Sequence, residues 1–287
     1  MSNVDTLVRC EDTVPTNRLL DRYLQERAVM RTSDVTDQRA RTVAAKLSLP
    51  HQGFILGRPR LRALVERVRG GGVVCLVAGP GYGKTAFIVD LLSSADGRAV
   101  YFSVDVGDRD PVRFLTYLGT GLDMKPSERP VTQSLGWSAP EGIDGAALEL
   151  AAELVDFMSA HAGETTLVAI DDFHLVDASP QVTSALELVI RGLPPGWTLL
   201  LSSRRPAPLH LDGVGLGGRL VNLRARELRL TPREVAAWAS QNWAVTLQPS
   251  EARALWRLTE GWPAALVLLG QRLLSNGVDV TRKDIVG

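Results

Sequence analysis

The stretch Ala78-Gly79-Pro80-Gly81-Tyr82-Gly83-Lys84-Thr85 constrains this chain more than any other. It follows the apolar run Val73-Val74-Cys75-Leu76-Val77 and precedes a segment of helical pattern at 86–92. A buried strand, a glycine-rich turn and a helix that opens on Lys-Thr make a phosphate-binding loop. Backbone N–H groups of such a turn converge on one point, and the helix N-terminus adds partial positive charge there. The candidate ligand-binding set is Gly79, Pro80, Gly81, Tyr82, Gly83, Lys84, Thr85 and Ala86. In such a loop the lysine reaches the β- and γ-phosphates and the hydroxyl binds Mg2+, which gives those roles to Lys84 and Thr85. Ala78 departs from the G-x-x-x-x-G-K-[ST] pattern, standing where its first glycine would be. A methyl group is the smallest change that position can take.

Composition narrows the field further. The net charge is zero over 287 residues, so no basic field advertises nucleic acid. Lysine occurs only at Lys46, Lys84, Lys125 and Lys283, and one of those four stands where a phosphate loop needs it. The two cysteines, Cys10 and Cys75, have no metal-site spacing. No apolar run is long enough to span a membrane, and the N-terminus lacks a basic-then-apolar leader pattern. These features suit a cytoplasmic protein.

Short buried strands alternate with helices along residues 46–225. Apolar runs at 73–77, 99–105, 165–172 and 197–204, with a short fifth at 220–223, read as strands. Helical patterns follow at 61–68, 86–92, 111–118, 146–161 and 180–191. Asp110 and Pro111 form a cap and first-turn proline, and Leu148, Ala151, Leu154, Val155 and Met158 form one inward stripe. This alternation predicts an α/β fold, a parallel sheet with helices on both faces. Beyond residue 226 strands stop. Thr231-Pro232-Arg233-Glu234 is a capping box, Ser250-Glu251 opens a second helix that Gly261 closes, and Pro263 starts a third. The expected domains are therefore an arm at 1–45 with one short helix within 17–30, a nucleotide-binding domain at 46–225 and a helical domain at 226–287. The Pro-, Ser- and Gly-rich stretch 125–144 reads as a long loop.

Two carboxylates, Asp171 and Asp172, end the third strand. Ligands of open α/β sheets sit beyond the carboxyl ends of the strands, which brings both near the loop. Asp171 is the candidate Mg2+ residue, and Asp172 the candidate that orients an attacking water. Arg204, at the end of the fourth strand, is placed to sense a γ-phosphate; Arg205 competes for the role. Gly261-Trp262-Pro263 reads from its chemistry first as helix punctuation, with Gly as cap and Pro at the first helical position, and second as a contact to nucleotide. Four of the six tryptophans fall in the helical part and read as its core. His174 follows the carboxylates without an evident partner.

Taken together these residues resemble the ATPase core of the signal-transduction ATPases with numerous domains (STAND proteins), within the wider ASCE/AAA-like P-loop NTPases. Among them the chain looks like the MalT-type, large ATP-binding LuxR-family transcriptional regulators. The resemblance runs over about residues 46–275 through Lys46-Leu47-Ser48-Leu49-Pro50, Arg58-Pro59-Arg60-Leu61, the loop itself, Asp110-Pro111-Val112-Arg113-Phe114, Asp171-Asp172-Phe173-His174, Ser203-Arg204 and Glu260-Gly261-Trp262-Pro263. It implies ATP or ADP with Mg2+ as ligands, Asp172 with Lys84 and Arg204 as the catalytic set, and Thr85 and Asp171 as metal residues. It also implies nucleotide contacts from Arg58 and Pro263. A slow ATPase that switches between closed and self-associating states, under an inducer or regulatory protein, is the implied function. The chain shows neither helical-hairpin repeats nor a basic recognition helix, so no DNA-binding domain is expected in it. Two alternatives stay open: a nucleotide-locked interaction module whose hydrolysis is irrelevant, and an origin-recognition or repair-type ATPase acting on DNA.

Overall fold

Five apolar runs become five parallel strands: β1 Gly72–Val77, β2 Arg98–Ser103, β3 Thr166–Asp171, β4 Trp197–Ser203 and β5 Leu220–Arg224. They pair in the order β2-β3-β4-β1-β5. The computed structural model describes residues 42–51, 55–124 and 145–275. The chain divides into two units, Met1–Ala45 and Lys46–Gly287, and the sheet and everything below belong to the second. The helix expected within 17–30 and the loop expected at 125–144 lie outside the described residues.

Strand alternation sorts the side chains into two cores. Val74, Leu76, Leu167, Ala169 and Leu200 face one side, where Leu61, Phe87 and Ile88 cover them. Val73, Cys75, Val168, Ile170, Leu199 and Leu201 face the other, against Phe114, Leu154 and Leu186. A period of two with both faces apolar is what a parallel sheet covered on both sides requires. The covering helices are α1 Pro59–Val65, α2 Lys84–Ser93, α3 Pro111–Gly121, α4 Gly145–Ala160 and α5 Pro180–Arg191. Local chemistry starts two of them: the Asp110 carboxylate accepts from the Arg113 N–H ahead of α3, and Ser179 accepts from Val182 ahead of α5. In α4, Ala147 is fully buried and Leu148 only half-buried, so the inward stripe begins one residue earlier than the pattern suggests. Lys46 is buried and pairs with Asp105 at 2.9 Å and with the fully buried Asp108, beyond the end of β2.

Two short helices, α6 Asp212–Leu216 and α7 Ala225–Leu228, flank β5. At five and four residues they are too short to show helical periodicity in sequence. After them come α8 Pro232–Trp243, α9 Pro249–Thr259 and α10 Pro263–Ser275, packed on Leu230, Val235, Ala239, Leu247, Ala252, Leu255 and Leu266. The Thr231/Glu234 capping box forms with both arms. Helix α9 starts at Pro249 rather than Ser250, because the Gln248 N–H donates to Glu251 and Pro249 suits the first helical position.

The four tryptophans of this module are half-buried, so they rim its core rather than fill it. Trp256 Nε1 donates to the Leu230 carbonyl at 2.8 Å, and Trp238 and Trp243 meet edge to face at 5.0 Å. The indole of Trp243 occupies the space where a side chain on Gly270 of α10 would be. Gly270→Ala therefore sets a helix-propensity gain of about 1 kcal/mol against an overpacking cost of about 1–3 kcal/mol. A net loss of stability is expected, seen as a lower melting midpoint by circular dichroism. Among the described residues no helix is long and apolar enough to cross a membrane.

Candidate nucleotide-binding site

The sheet order brings the site together. β4 lies between β1 and β3, so the loop after β1 and the carboxylates ending β3 are two strand spacings apart, about 10 Å. The first turn of α2 bridges that gap: Thr85 Oγ1 donates to Asp171 Oδ2 at 2.7 Å. The loop leaves β1 with the Ala78 N–H donating to the Ser203 carbonyl at 3.2 Å. Gly81 and Gly83 then take left-handed backbone, with φ of 76° and 74°, and Gly83 caps α2. The buried Lys84 ammonium donates to the carbonyls of Ala78 and Gly79 at 2.8 and 2.9 Å. Burial lowers its pKa from the ordinary lysine value, while Asp172 and Asp171 act in the opposite sense.

Asp171 is almost fully buried and accepts three hydrogen bonds. Besides Thr85, its carboxylate accepts from the Tyr101 hydroxyl at 3.1 Å and from the Asp172 N–H at 3.0 Å. Burial first, then the Asp171 charge, pushes the Tyr101 phenol above its usual range and keeps it a donor. Tyr101 was not singled out in the sequence; its place on β2, paired beside β3, is what delivers it. Asp172 has left-handed backbone, with φ of 58°, and turns its half-exposed side chain out of the strand line.

The two arginines after β4 divide cleanly. Arg205 is committed to Asp177 through two hydrogen bonds of 2.8 and 2.6 Å. Arg204 is exposed and has no hydrogen-bond partner among the described residues. It lies near enough to Lys84 and His174 to oppose their protonation. Of the two arginines, Arg204 is therefore the one whose donors stay free.

A cavity of about 600 Å3 opens from the loop toward the helical module. Gly81, Gly83, Lys84, Thr85 and Ala86 line one side, and Leu230, Trp238, Pro263, Ala264, Val267 and Leu268 the other. Leu56 and Arg58 close it from the lead-in. The Arg58 guanidinium donates to the Leu228 carbonyl at 2.5 Å and to the Arg229 carbonyl at 3.1 Å, so its place in the cavity is as a wall. Burial brings its pKa down to about 10, which leaves it cationic at neutral pH. The module touches the loop directly: Trp262 Nε1 donates to the Pro80 carbonyl at 3.3 Å and the Ala264 N–H to the Gly81 carbonyl at 3.1 Å. A side-chain carbon on Gly81 would fall 2.5 Å from Ala264 Cβ. Tyr82 packs toward Trp262, with ring centroids 6.5 Å apart.

The donor set fits a nucleotide with Mg2+. Thr85 and Asp171 supply adjacent hard oxygens, as Mg2+ prefers. Among the described residues no group of three or more His, Cys, Asp or Glu side chains gathers, so such an ion would complete its octahedron with phosphate oxygens and water. The cavity is within the usual size of small-molecule sites, apolar at one end and phosphate-loop at the other.

No family model matches the chain. The transcriptional regulator MalT of Vibrio cholerae is 24% identical over 235 residues, covering 79% of this chain and 25% of that protein. MalT of Yersinia enterocolitica is 27% identical over 235 residues with the same coverage. Over that stretch the chain is a distant homologue of MalT. It spans about a quarter of the length of these curated relatives. Among solved structures, a STAND protein with a tetratricopeptide repeat sensor from Pyrococcus horikoshii has a TM-score of 0.47 at 18% identity, over 76% of this chain and 30% of that one. The AAA domain of FIGL-1, solved with ADP, has a TM-score of 0.45 at 13% identity, over 85% and 88%. The P-loop fold of this chain follows from its strand order and loop.

Proposed function

We propose that this chain is the nucleotide-reading part of a MalT-like regulator, a slow Mg2+-dependent ATPase that uses ATP and ADP as a two-state switch. The observation that carries this reading is the double wall of the cavity. Phosphates at Gly83-Lys84-Thr85 would lie against Pro263 and Ala264, and Ala264 is also one of the two residues through which the helical module holds the loop. A ligand biases a conformational equilibrium only by binding two states differently, and a cleft walled by two modules gives it that leverage. The apolar end, with Leu56, Leu230, Trp238, Val267 and Leu268, suits an adenine base. Lys84 and Arg204 would take the phosphates, Thr85 and Asp171 the Mg2+, and Asp172 the attacking water. On this reading the domains divide near residue 226, and the protein works in the cytoplasm. An inducer or regulatory protein sets the balance between a closed ADP form and a self-associating ATP form.

The test is to release and identify the nucleotide that co-purifies with the protein, then follow its mass in solution with Mg-ADP and with Mg-ATP. Bound ADP and a larger species with ATP are the expected results. Failure to bind either nucleotide at millimolar concentration would reject the proposal.

A further inference from the structure

His174 carries a nitrogen that the fold has buried and left without a partner. The residue lies in the 3-10 turn Phe173–Leu175, immediately after Asp172. Its backbone is fixed from several sides. Phe173 and Val176 are fully buried, and the His174 carbonyl faces Arg205, itself clamped on Asp177. Its Nδ1 is buried and hydrogen-bonds nothing among the described residues. Asp172 Oδ1 lies 3.7 Å from it, just outside hydrogen-bonding range. Buried polar atoms are rarely left unpaired, and this one lies close enough to Lys84 and Arg204 of the site to feel their charges.

Asp172 is built to supply that partner. Its main chain is immobilised in left-handed backbone, with its N–H on Asp171 Oδ1. Sparsely populated backbone of this kind gathers at functional sites. Only the side chain is free to turn, and it is 41% exposed. The imidazole is neutral near pH 7, because burial lowers its pKa and the Arg204 and Lys84 charges do the same against Asp172 and Asp177. A neutral ring with its proton on Nδ1 has one donor, and the acceptor within reach of a side-chain rotation is Asp172.

We propose that His174 is a positioning residue for Asp172. With a triphosphate and its attacking water in the cleft, His174 Nδ1–H donates to one carboxylate oxygen of Asp172 and holds the other toward the water. The water oxygen bonds to the γ-phosphorus, and the bond to the bridging oxygen breaks with its electron pair left on ADP. Asp172 takes up the water proton and releases it with the phosphate. This inference rests on the ATPase reading given above.

The experiment compares the full chain with His174→Ala, His174→Asn and His174→Gln, each with Mg-ATP. The Asn amide nitrogen falls near the place of Nδ1, and the Gln amide nitrogen near that of Nε2. Expected are a fall in kcat of roughly tenfold to hundredfold for His174→Ala, with KM and ADP affinity unchanged, and recovery of most of the rate in His174→Asn but not in His174→Gln. In an Asp172→Asn background, followed by single-turnover release of labelled phosphate, His174→Ala should change the rate by less than about twofold, since the two residues act as one unit. Unchanged ADP affinity shows that each variant is folded. A wild-type rate in His174→Ala, equal rescue by Gln, or a full additional loss on top of Asp172→Asn would overturn the inference while leaving the ATPase reading intact. A wild-type chain that binds nucleotide and never turns over would instead remove the reading on which it rests.

Discussion

Lys84→Ala is expected to lose ATP affinity by roughly a hundredfold to ten-thousandfold and ADP affinity by roughly tenfold to a hundredfold, measured by calorimetry or a fluorescent nucleotide. Charge-assisted hydrogen bonds contribute about 1.5–3 kcal/mol each, and Lys84 would give two to ATP, on the β- and γ-phosphates, and one to ADP, on the β-phosphate. The loop is already arranged around this ammonium, which bridges the Ala78 and Gly79 carbonyls. Removing it leaves those carbonyls to water and is expected to destabilise the loop by about 1 kcal/mol. That cost is small beside the loss of binding, and the two separate by experiment. A melting curve reports the first, and titration of the folded variant the second. Full affinity in a folded Lys84→Ala protein would contradict the assignment of the cavity to phosphates, whatever its effect on stability.

What the sequence made legible was local. The loop Ala78 to Thr85, the caps at Asp110 and Thr231, and the apolar runs that became β1 to β5 each depend on residues close in the chain. Periodicity and capping chemistry act over a turn or a strand, so they survive without knowledge of what packs where. The contacts that turn a phosphate loop into a two-walled cleft span much longer separations. Tyr101 reaches Asp171 across 70 residues, Arg58 reaches Leu228 across 170, and Trp262 reaches Pro80 across 182. Each depends on the strand order β2-β3-β4-β1-β5, which no local pattern contains. Arg58 illustrates the gap. The resemblance places it at the nucleotide pocket and it lines the cavity, but the hydrogen bonds of its Nη2 to the Leu228 and Arg229 carbonyls have no local signal in sequence. Arg204 and Arg205 are likewise not told apart in sequence, whereas the fold holds Arg205 on Asp177, 28 residues before it.

Asp172→Asn is expected to lower turnover of Mg-ATP by roughly 10²–10³-fold while leaving ADP affinity within about a few-fold of wild type. The substitution is unusually clean here. Asp172 has φ of 58°, and Asn and Asp are the side chains most often found in that left-handed region, so the amide keeps the backbone without new strain. Its N–H still donates to Asp171, and Thr85, Tyr101 and Asp171 keep their hydrogen bonds, so the residues assigned to Mg2+ are untouched. What changes is one negative charge beside Lys84 and His174 and one base toward water. Loss of that charge removes a repulsion from the phosphates, so nucleotide affinity should hold or rise slightly. A protein that binds ATP and barely hydrolyses it separates the two roles proposed for the nucleotide. If hydrolysis is a timer, the ATP-dependent larger species should form normally and then persist, with its lifetime lengthened in proportion to the fall in kcat. A normal lifetime alongside a lost kcat would mean that nucleotide exchange, not hydrolysis, resets the switch. An unchanged kcat would remove Asp172 from the chemistry altogether.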